Sequence, residues 1–259
     1  ENYKLTDLPF TALDRSFIEK YDLHLRTDCH LALSSIVNLT TSLRTIVNEA
    51  VADGILTFNP FWGYEPERPQ WKQKYLTAEE LELMMTTPLH NARLYIIRDL
   101  FLFSCYTGIS YGDMCLLTKD DLVTDENGTL WIRTSRKKTK VEYEVPLLEV
   151  PLHILNKYRD VEPNGKLLPM YCNSDVNKYL KTIAAKCGIN RRIVFHAARH
   201  TYATEITLSH GVPLETVSKM LGHTRVDTTQ IYAKVTDDKI NADTKRLDNK
   251  ISERFTIAI

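Results

Sequence analysis

The sequence predicts a mainly α protein with a small β-sheet, built as an N-terminal helical domain and a larger mixed α/β domain. Three observations predict it. Apolar residues recur at helical intervals through most of the 259 residues. Strict alternation is confined to two short stretches, LWIRT and VEYEVPL. Between the first helices and the rest lies GYEPERPQWKQK, rich in Pro and charge and without apolar periodicity, which reads as an extended linker. The expected organisation is a helical domain over 1–64, a linker over 65–74 and the larger domain over 75–259. A 43% hydrophobic composition suffices for two modest cores.

In the first domain, acidic Asp14 precedes a helix through FIEKYDLHL. A second helix runs through CHLALSSIVNLTTSLRTIVNEAVADG, with Ile36, Leu39, Leu43, Ile46, Val47 and Ala50 as its expected inner stripe. Gly54 ends it and Asn59-Pro60 breaks the chain. The polar face of this helical unit bears Arg26 and Arg44 and little other positive charge. Trp71 is placed to anchor the end of the linker.

The second domain opens at Thr77, an N-cap that forms a capping box with Glu80. The helix ARLYIIRDLFLFSCYTG is apolar on most sides, so it belongs in a core, and Gly108 closes it. After the turn signal Asp125-Glu126-Asn127-Gly128, the two alternating stretches read as strands of a hairpin or small sheet, with SRKKTK at the turn. Arg133, Arg136, Lys137, Lys138 and Lys140 concentrate charge there; such a run is usually a solvated loop. Pro151–Leu168 reads as a helix and a loop. Asp175–Cys187 reads as an amphipathic helix stopped by Gly188. Arg191 and Arg192 follow, either as phosphate contacts or as a solvated turn.

The densest chemistry lies between His196 and Tyr232. His196 and Arg199, three apart, share a helix face. Gly211 and Pro213 end one helix and open the next. Gly222 closes the short helix Leu214–Leu221 and places His223 in a turn, and a further polar turn leads to Tyr232. A guanidinium clamp, two imidazoles and a phenol could surround one phosphate, with the phenol as nucleophile. Each residue alone is as well read as an ordinary core side chain; the conjunction of H-x-x-R-H-T-x-A-T, L-G-H and T-T-x-x-Y is improbable by chance.

These motifs resemble the C-terminal signature of the tyrosine recombinase (phage-integrase) family. The resemblance covers nearly the whole chain. It implies Tyr232 as nucleophile, His196 and Arg199 as the HxxR pair, and His223 at the His/Trp position. It implies that the helical domain is a core-binding domain and that the hairpin delivers a lysine, Lys138, with Lys140 and Lys137 behind it. TGISYGDMCLL resembles the family's first box, where Asp113 matches the acidic position. There it would orient the HxxR helix, or simply cap its own. The box arginine is replaced by Ser110. Arg136, two residues before Lys138, would share its face on an extended strand and could take over that arginine's place, or it could contact an ordinary phosphate. The chain resembles most the integrases of Bacteroides-type mobile elements, which commonly lack this arginine and remain recombinases.

The implied activity is site-specific cleavage and rejoining of double-stranded DNA through a 3′-phosphotyrosyl bond, with no metal and no cofactor. The implied partners are other protomers in a tetrameric synaptic complex, with room for an accessory DNA-bending protein, in a bacterial cytoplasmic, nucleoid-associated setting. An arm-binding domain, as many integrases carry, would lie before Glu1. A type IB topoisomerase, or a DNA-binding module impaired by Ser110, are the alternatives. Lys+Arg and Asp+Glu both total 33, a net charge of zero that argues mildly against a nucleic-acid binder unless charge is clustered. No apolar run is long enough to span a membrane. Five unevenly spaced cysteines, with no CxxC or His/Cys cluster, read as buried reduced thiols. The apolar end FTIAI reads as a contact with another protomer or as packing on its own domain.

Overall fold

A computed structural model describes residues 7–68, 75–159, 165–232, 244–245, 247–249 and 251. The chain divides into two compact units, residues 1–72 and 73–259. Trp71 and the apolar end at 255–259, both given roles above, lie outside the described residues. Among the described residues, no helix is long and apolar enough to cross a membrane.

The first unit is a pair of helices closed by the segment that follows them. Asp14 caps α1 (Arg15–Thr27), its carboxylate accepting from the Phe17 amide at 2.7 Å, which satisfies an amide left open at the helix start. Helix α2 spans Leu33–Ala52. Leu13, Ile18, Val47, Ala50, Leu56, Phe61 and Tyr64 form the core. The stripe expected on α2 is corrected at two positions: Leu39 and Ile46 are 40% and 51% exposed, whereas Thr40 is buried. The buried face steps through Ile36, Thr40, Leu43, Val47 and Ala50, a 4-3-4-3 spacing that follows one narrow stripe of the helix. Thr40 enters it at little cost by donating to the Ile36 carbonyl at 2.8 Å. Both arginines of the expected polar face are engaged within the unit. Arg26 bridges Asp22 and Glu67, each at 2.8 Å, and Arg44 donates to the Tyr64 carbonyl with its guanidinium over the Phe61 ring.

The second unit is organised around α4 (Ala92–Thr107), against which α6 (Glu149–Tyr158), α7 (Asn173–Lys186) and α8 (Ala197–Thr201) pack. Ahead of it lies α3 (Ala78–Thr86), which starts with the capping box expected at Thr77 and Glu80. Ten residues of α4 are buried, among them Asp99, whose carboxylate is paired by Lys157 at 2.6 Å and the Tyr158 hydroxyl at 2.7 Å. A buried charge is tolerable only with such partners. After α4 come a single turn, α5 (Tyr111–Met114), and an antiparallel sheet of three strands in the order β1 (Leu122–Thr124), β2 (Leu130–Ser135), β3 (Glu142–Pro146). The first strand was not expected, since three residues are too few to show alternation.

Gly108 closes α4 with φ of +70°. A Cβ there would lie 2.4 Å from Tyr202 Cδ1 and 2.8 Å from Leu221 Cδ2. Gly108→Ala combines that overlap with a left-handed backbone, so it should cost about 2–4 kcal/mol, read as a lowered urea midpoint.

The cysteines are all free, but only Cys105 and Cys187 are buried; Cys29 and Cys172 are exposed and Cys115 is half-buried. The expectation of buried thiols is corrected accordingly. Small side chains at helix ends, such as Cys172 just before α7, reach solvent whatever their apolar character.

Candidate active site

His196 stands at the N-terminus of α8 and Arg199 lies one turn on. The helix then widens at Tyr202–Thr207 into a turn of longer hydrogen-bond spacing, where Thr207 Oγ1 serves the carbonyls of Tyr202 and Ala203 at 3.0 and 2.8 Å. Gly211 turns the chain with φ of +83°, Pro213 opens α9 (Leu214–Met220), and Gly222 ends it with φ of +63°. That reversal brings Leu221 and His223 back onto α8. A final turn, α10 (Asp227–Gln230), delivers Tyr232.

Arg199 is the centre of the arrangement and is 2% exposed. Its guanidinium donates to the Gly108 carbonyl at 2.7 Å, to the Leu221 carbonyl, and to His223 Nε2 at 2.9 Å. Donation into Nε2 means that this nitrogen is the acceptor, so the proton of His223 sits on Nδ1 and is given to Thr229 Oγ1 at 2.8 Å. Tyr232 is buried, its ring parallel to that of His223 at 6.5 Å. The ring of His200 stands edge-on to Tyr232 at 5.0 Å and edge-on to His196 at 4.8 Å.

The electrostatics suit an anion. Burial, followed by the nearby charge of Arg136, lowers the Arg199 pKa to about 10. Burial also lowers the His223 pKa to about 4, helped by Arg199 and Arg136. Tyr232 is raised above its ordinary value by burial, with Arg199 pulling the other way. Two guanidiniums that destabilise each other gain most when a negative group comes between them. Because the folded His223 binds its proton more weakly than an unfolded imidazole, its contribution to stability is complete above about pH 6.5. That contribution is lost as the pH falls towards 4. Allowing for solvent screening of a half-buried ring, the loss is about 1–2 kcal/mol. Urea melts of the parent and of His223→Asn should therefore diverge above that range and converge below it.

The structure brings His196, Arg199, His223 and Tyr232 together, and adds Arg136. Arg136 Nη1 pairs with Asp113 Oδ2 at 3.0 Å, and its Cγ lies where a Cβ on Gly222 would come within 2.9 Å. Arg136 does not reach the site from the strand face expected of it. Strand β2 ends at Ser135 and residues 137–139 form a turn, so Arg136 and Lys138 do not share a strand face. Arg136 turns inward and Lys138 is exposed at the tip.

Asp113 also differs from expectation. Its carboxylate holds the hairpin rather than α8: it accepts from the Lys137 amide at 2.9 Å and the Ser110 hydroxyl at 2.8 Å, in addition to Arg136. Ser110 is itself the N-cap of α5. With His196, Arg199 and Arg192 it lines a cavity of about 430 Å³. Arg191 takes the structural role, pairing with Glu80 and the Tyr75 carbonyl. Sequence reasoning missed Tyr143, Thr229 and His200. Tyr143 packs over Gly222 through the register of β3, which no local pattern reveals. Thr229 stood in the T-T-x-x-Y motif, and His200 directly after Arg199, so both were open to view.

A family model described as the phage integrase family matches residues 74–239, and one described as the phage integrase SAM-like domain matches residues 1–66. The tyrosine recombinase XerD of Listeria monocytogenes is 30% identical over 219 residues, 78% of this chain and 72% of that protein. Among solved structures, the Tn1549 transposon integrase in complex with a circular intermediate DNA superposes with a TM-score of 0.74 at 18% identity, covering 91% of this chain and 86% of that one. A lambda integrase dimer bound to a COC′ core site superposes with a TM-score of 0.70 at 17% identity, covering 90% and 84%. At these identities the two structures speak to the fold.

Proposed function

The chain belongs to the phage integrase family of tyrosine recombinases and is a DNA strand transferase, and we propose that it recombines specific sites by forming a 3′-phosphotyrosyl bond at Tyr232. The observation that carries this reading is the position of Arg199. It is buried, held by two carbonyls and an imidazole, and accompanied by Arg136, His196 and Tyr232. A guanidinium kept in so dry a place needs an anion to complete its surroundings, and a phosphodiester is one.

In the proposed reaction the Tyr232 oxygen attacks phosphorus in line as the bond to the 5′ oxygen breaks. His196 accepts the phenolic proton. Lys138 gives a proton to the leaving oxygen, which requires the hairpin tip to fold over the DNA. Arg199 and Arg136 counter the charge that builds on the non-bridging oxygens. When the phosphate replaces His223 Nε2 as an acceptor for Arg199, that nitrogen is released. The added negative charge then favours a protonated imidazole that donates to the phosphate. The bond energy is kept in the adduct, so a 5′-hydroxyl from a partner strand reseals it. Four protomers acting in two rounds pass through a Holliday junction. An accessory DNA-bending protein and a nucleoid-associated location in the bacterial cytoplasm complete this reading.

The test is a nicked suicide duplex taken from the DNA flanking the gene. The protein should be trapped on it covalently, and supercoiled plasmid lacking the site should stay supercoiled. Site-independent relaxation would make the activity that of a topoisomerase, and binding without trapping that of a DNA-binding module.

A further inference from the structure

We propose that His200 is the positioning residue of the nucleophile. It holds the Tyr232 ring at the angle from which its oxygen meets the phosphate, and it couples that ring to His196. The inference rests on the reading of Tyr232 as nucleophile. It starts from helix geometry. His196 and His200 are four apart, so their rings lie one turn from each other on one side of α8, with Arg199 between them in sequence. Their centroids are 4.8 Å apart and their planes nearly perpendicular, at 83°. Beyond His200 the series continues to Tyr232, at 5.0 Å and 72°.

Tyr232 therefore meets two imidazoles in different orientations. The His223 ring runs parallel to it, 11° off, and restrains tilting of the phenol plane. The edge-on His200 ring blocks sliding within that plane. Neither restraint does the other's work. Tyr232 comes from a short turn beside α10, which by itself fixes a side chain poorly, so its aim depends on what its ring packs against and on the contact of its oxygen with Arg199. Catalysis by a placed nucleophile is sensitive to such aim, since a displacement of about 1 Å can cost roughly a hundredfold in rate. Arg199, bound to carbonyls of two other segments, is fixed independently of the nucleophile. Removing the His200 ring should thus loosen Tyr232 and leave the phosphate clamp in place.

The experiment is single-turnover cleavage of a nicked suicide duplex by the full chain, with Kd and melting temperature measured alongside. His200→Ala should cleave roughly 10- to 100-fold more slowly at saturating DNA, with Kd and Tm close to the parent's. His200→Phe keeps a flat ring without a titrating nitrogen and should recover most of the rate. The defect of His200→Ala should persist on a duplex with a 5′-bridging phosphorothiolate, whose thiolate leaves without being protonated. Three results overturn the proposal: His200→Ala cleaving like the parent, His200→Phe being as slow as His200→Ala, or the phosphorothiolate restoring the alanine variant. The last two would make His200 a carrier of protons. Tyr232→Phe, run in parallel, separates the two levels. A surviving adduct there removes the nucleophile reading itself, whereas an adduct-free Tyr232→Phe beside a parent-like His200→Ala sinks only the role of His200.

Discussion

Tyr232→Phe abolishes the covalent protein–DNA adduct on a denaturing gel while non-covalent affinity stays within about two-fold of the parent. The substitution takes away one oxygen and leaves the ring. The ring is what packs: it lies parallel to His223 at 6.5 Å and edge-on to His200 at 5.0 Å, and both contacts survive in phenylalanine. The phenol is buried, and its oxygen lies in hydrogen-bonding reach of Arg199, which two backbone carbonyls hold in any case, so the fold has little to lose. What disappears is the only group on that ring able to bond to phosphorus. Because DNA affinity comes largely from charge on the phosphate backbone, a neutral oxygen matters little to it. If the adduct persists, the nucleophile lies elsewhere; the buried phenols of Tyr143 and Tyr202 also stand near Arg199.

Arg136→Ala lowers suicide-substrate cleavage by about two to three orders of magnitude, and Ser110→Arg in that background restores part of it. The first expectation follows from charge. A pentacoordinate phosphorus carries more negative charge than the diester, and losing one charged donor to it typically costs roughly 3–4 kcal/mol. The second follows from Asp113. Its buried carboxylate already takes the Ser110 hydroxyl and the Lys137 amide and relies on Arg136 for its countercharge. Removing Arg136 leaves that charge uncompensated, so the alanine variant should also melt earlier. An arginine at position 110 would start from the residue whose hydroxyl now touches Asp113. It could supply the countercharge and the phosphate contact together. In the parent background the same Ser110→Arg should be harmful, because two guanidiniums would compete for one carboxylate and the N-cap of α5 would be lost. If Arg136→Ala cleaves like the parent while Lys138→Ala does not, Arg136 has no part in the reaction.

How far the sequence was legible depended on how local each cause was. Gly108 and Gly222 end helices with positive φ, and Thr77 with Glu80 starts one, because capping is decided within a few residues. The group of His196, Arg199, His223 and Tyr232 was legible for the same reason: one continuous stretch folds back on itself at two glycines. Arg136 was half legible. Its charge and closeness to Lys138 were in the text of the chain, but its inward turn is set by β2 ending at Ser135 and by Asp113 waiting on another element. The exposure of Leu39 and the burial of Thr40 were not legible, since apolarity says which residues can be buried and only the neighbouring helix says which are. The change in the role of Ser110, from charge to helix cap, shows only when Asp113 is seen with all its partners.

The burial of Tyr232 has a consequence for safety. While a broken strand hangs on a phosphotyrosine, the rival of the incoming hydroxyl is water, and a hydrolysed linkage cannot be resealed. Every such event would leave a permanent chromosome nick, or a double-strand break if both strands were open. In the proposed reaction the linkage forms where Tyr232 is buried beside the His223 and His200 rings, so it meets few water molecules. The same shelter that makes the phenol reluctant to ionise would then guard the genome in the interval when it is cut.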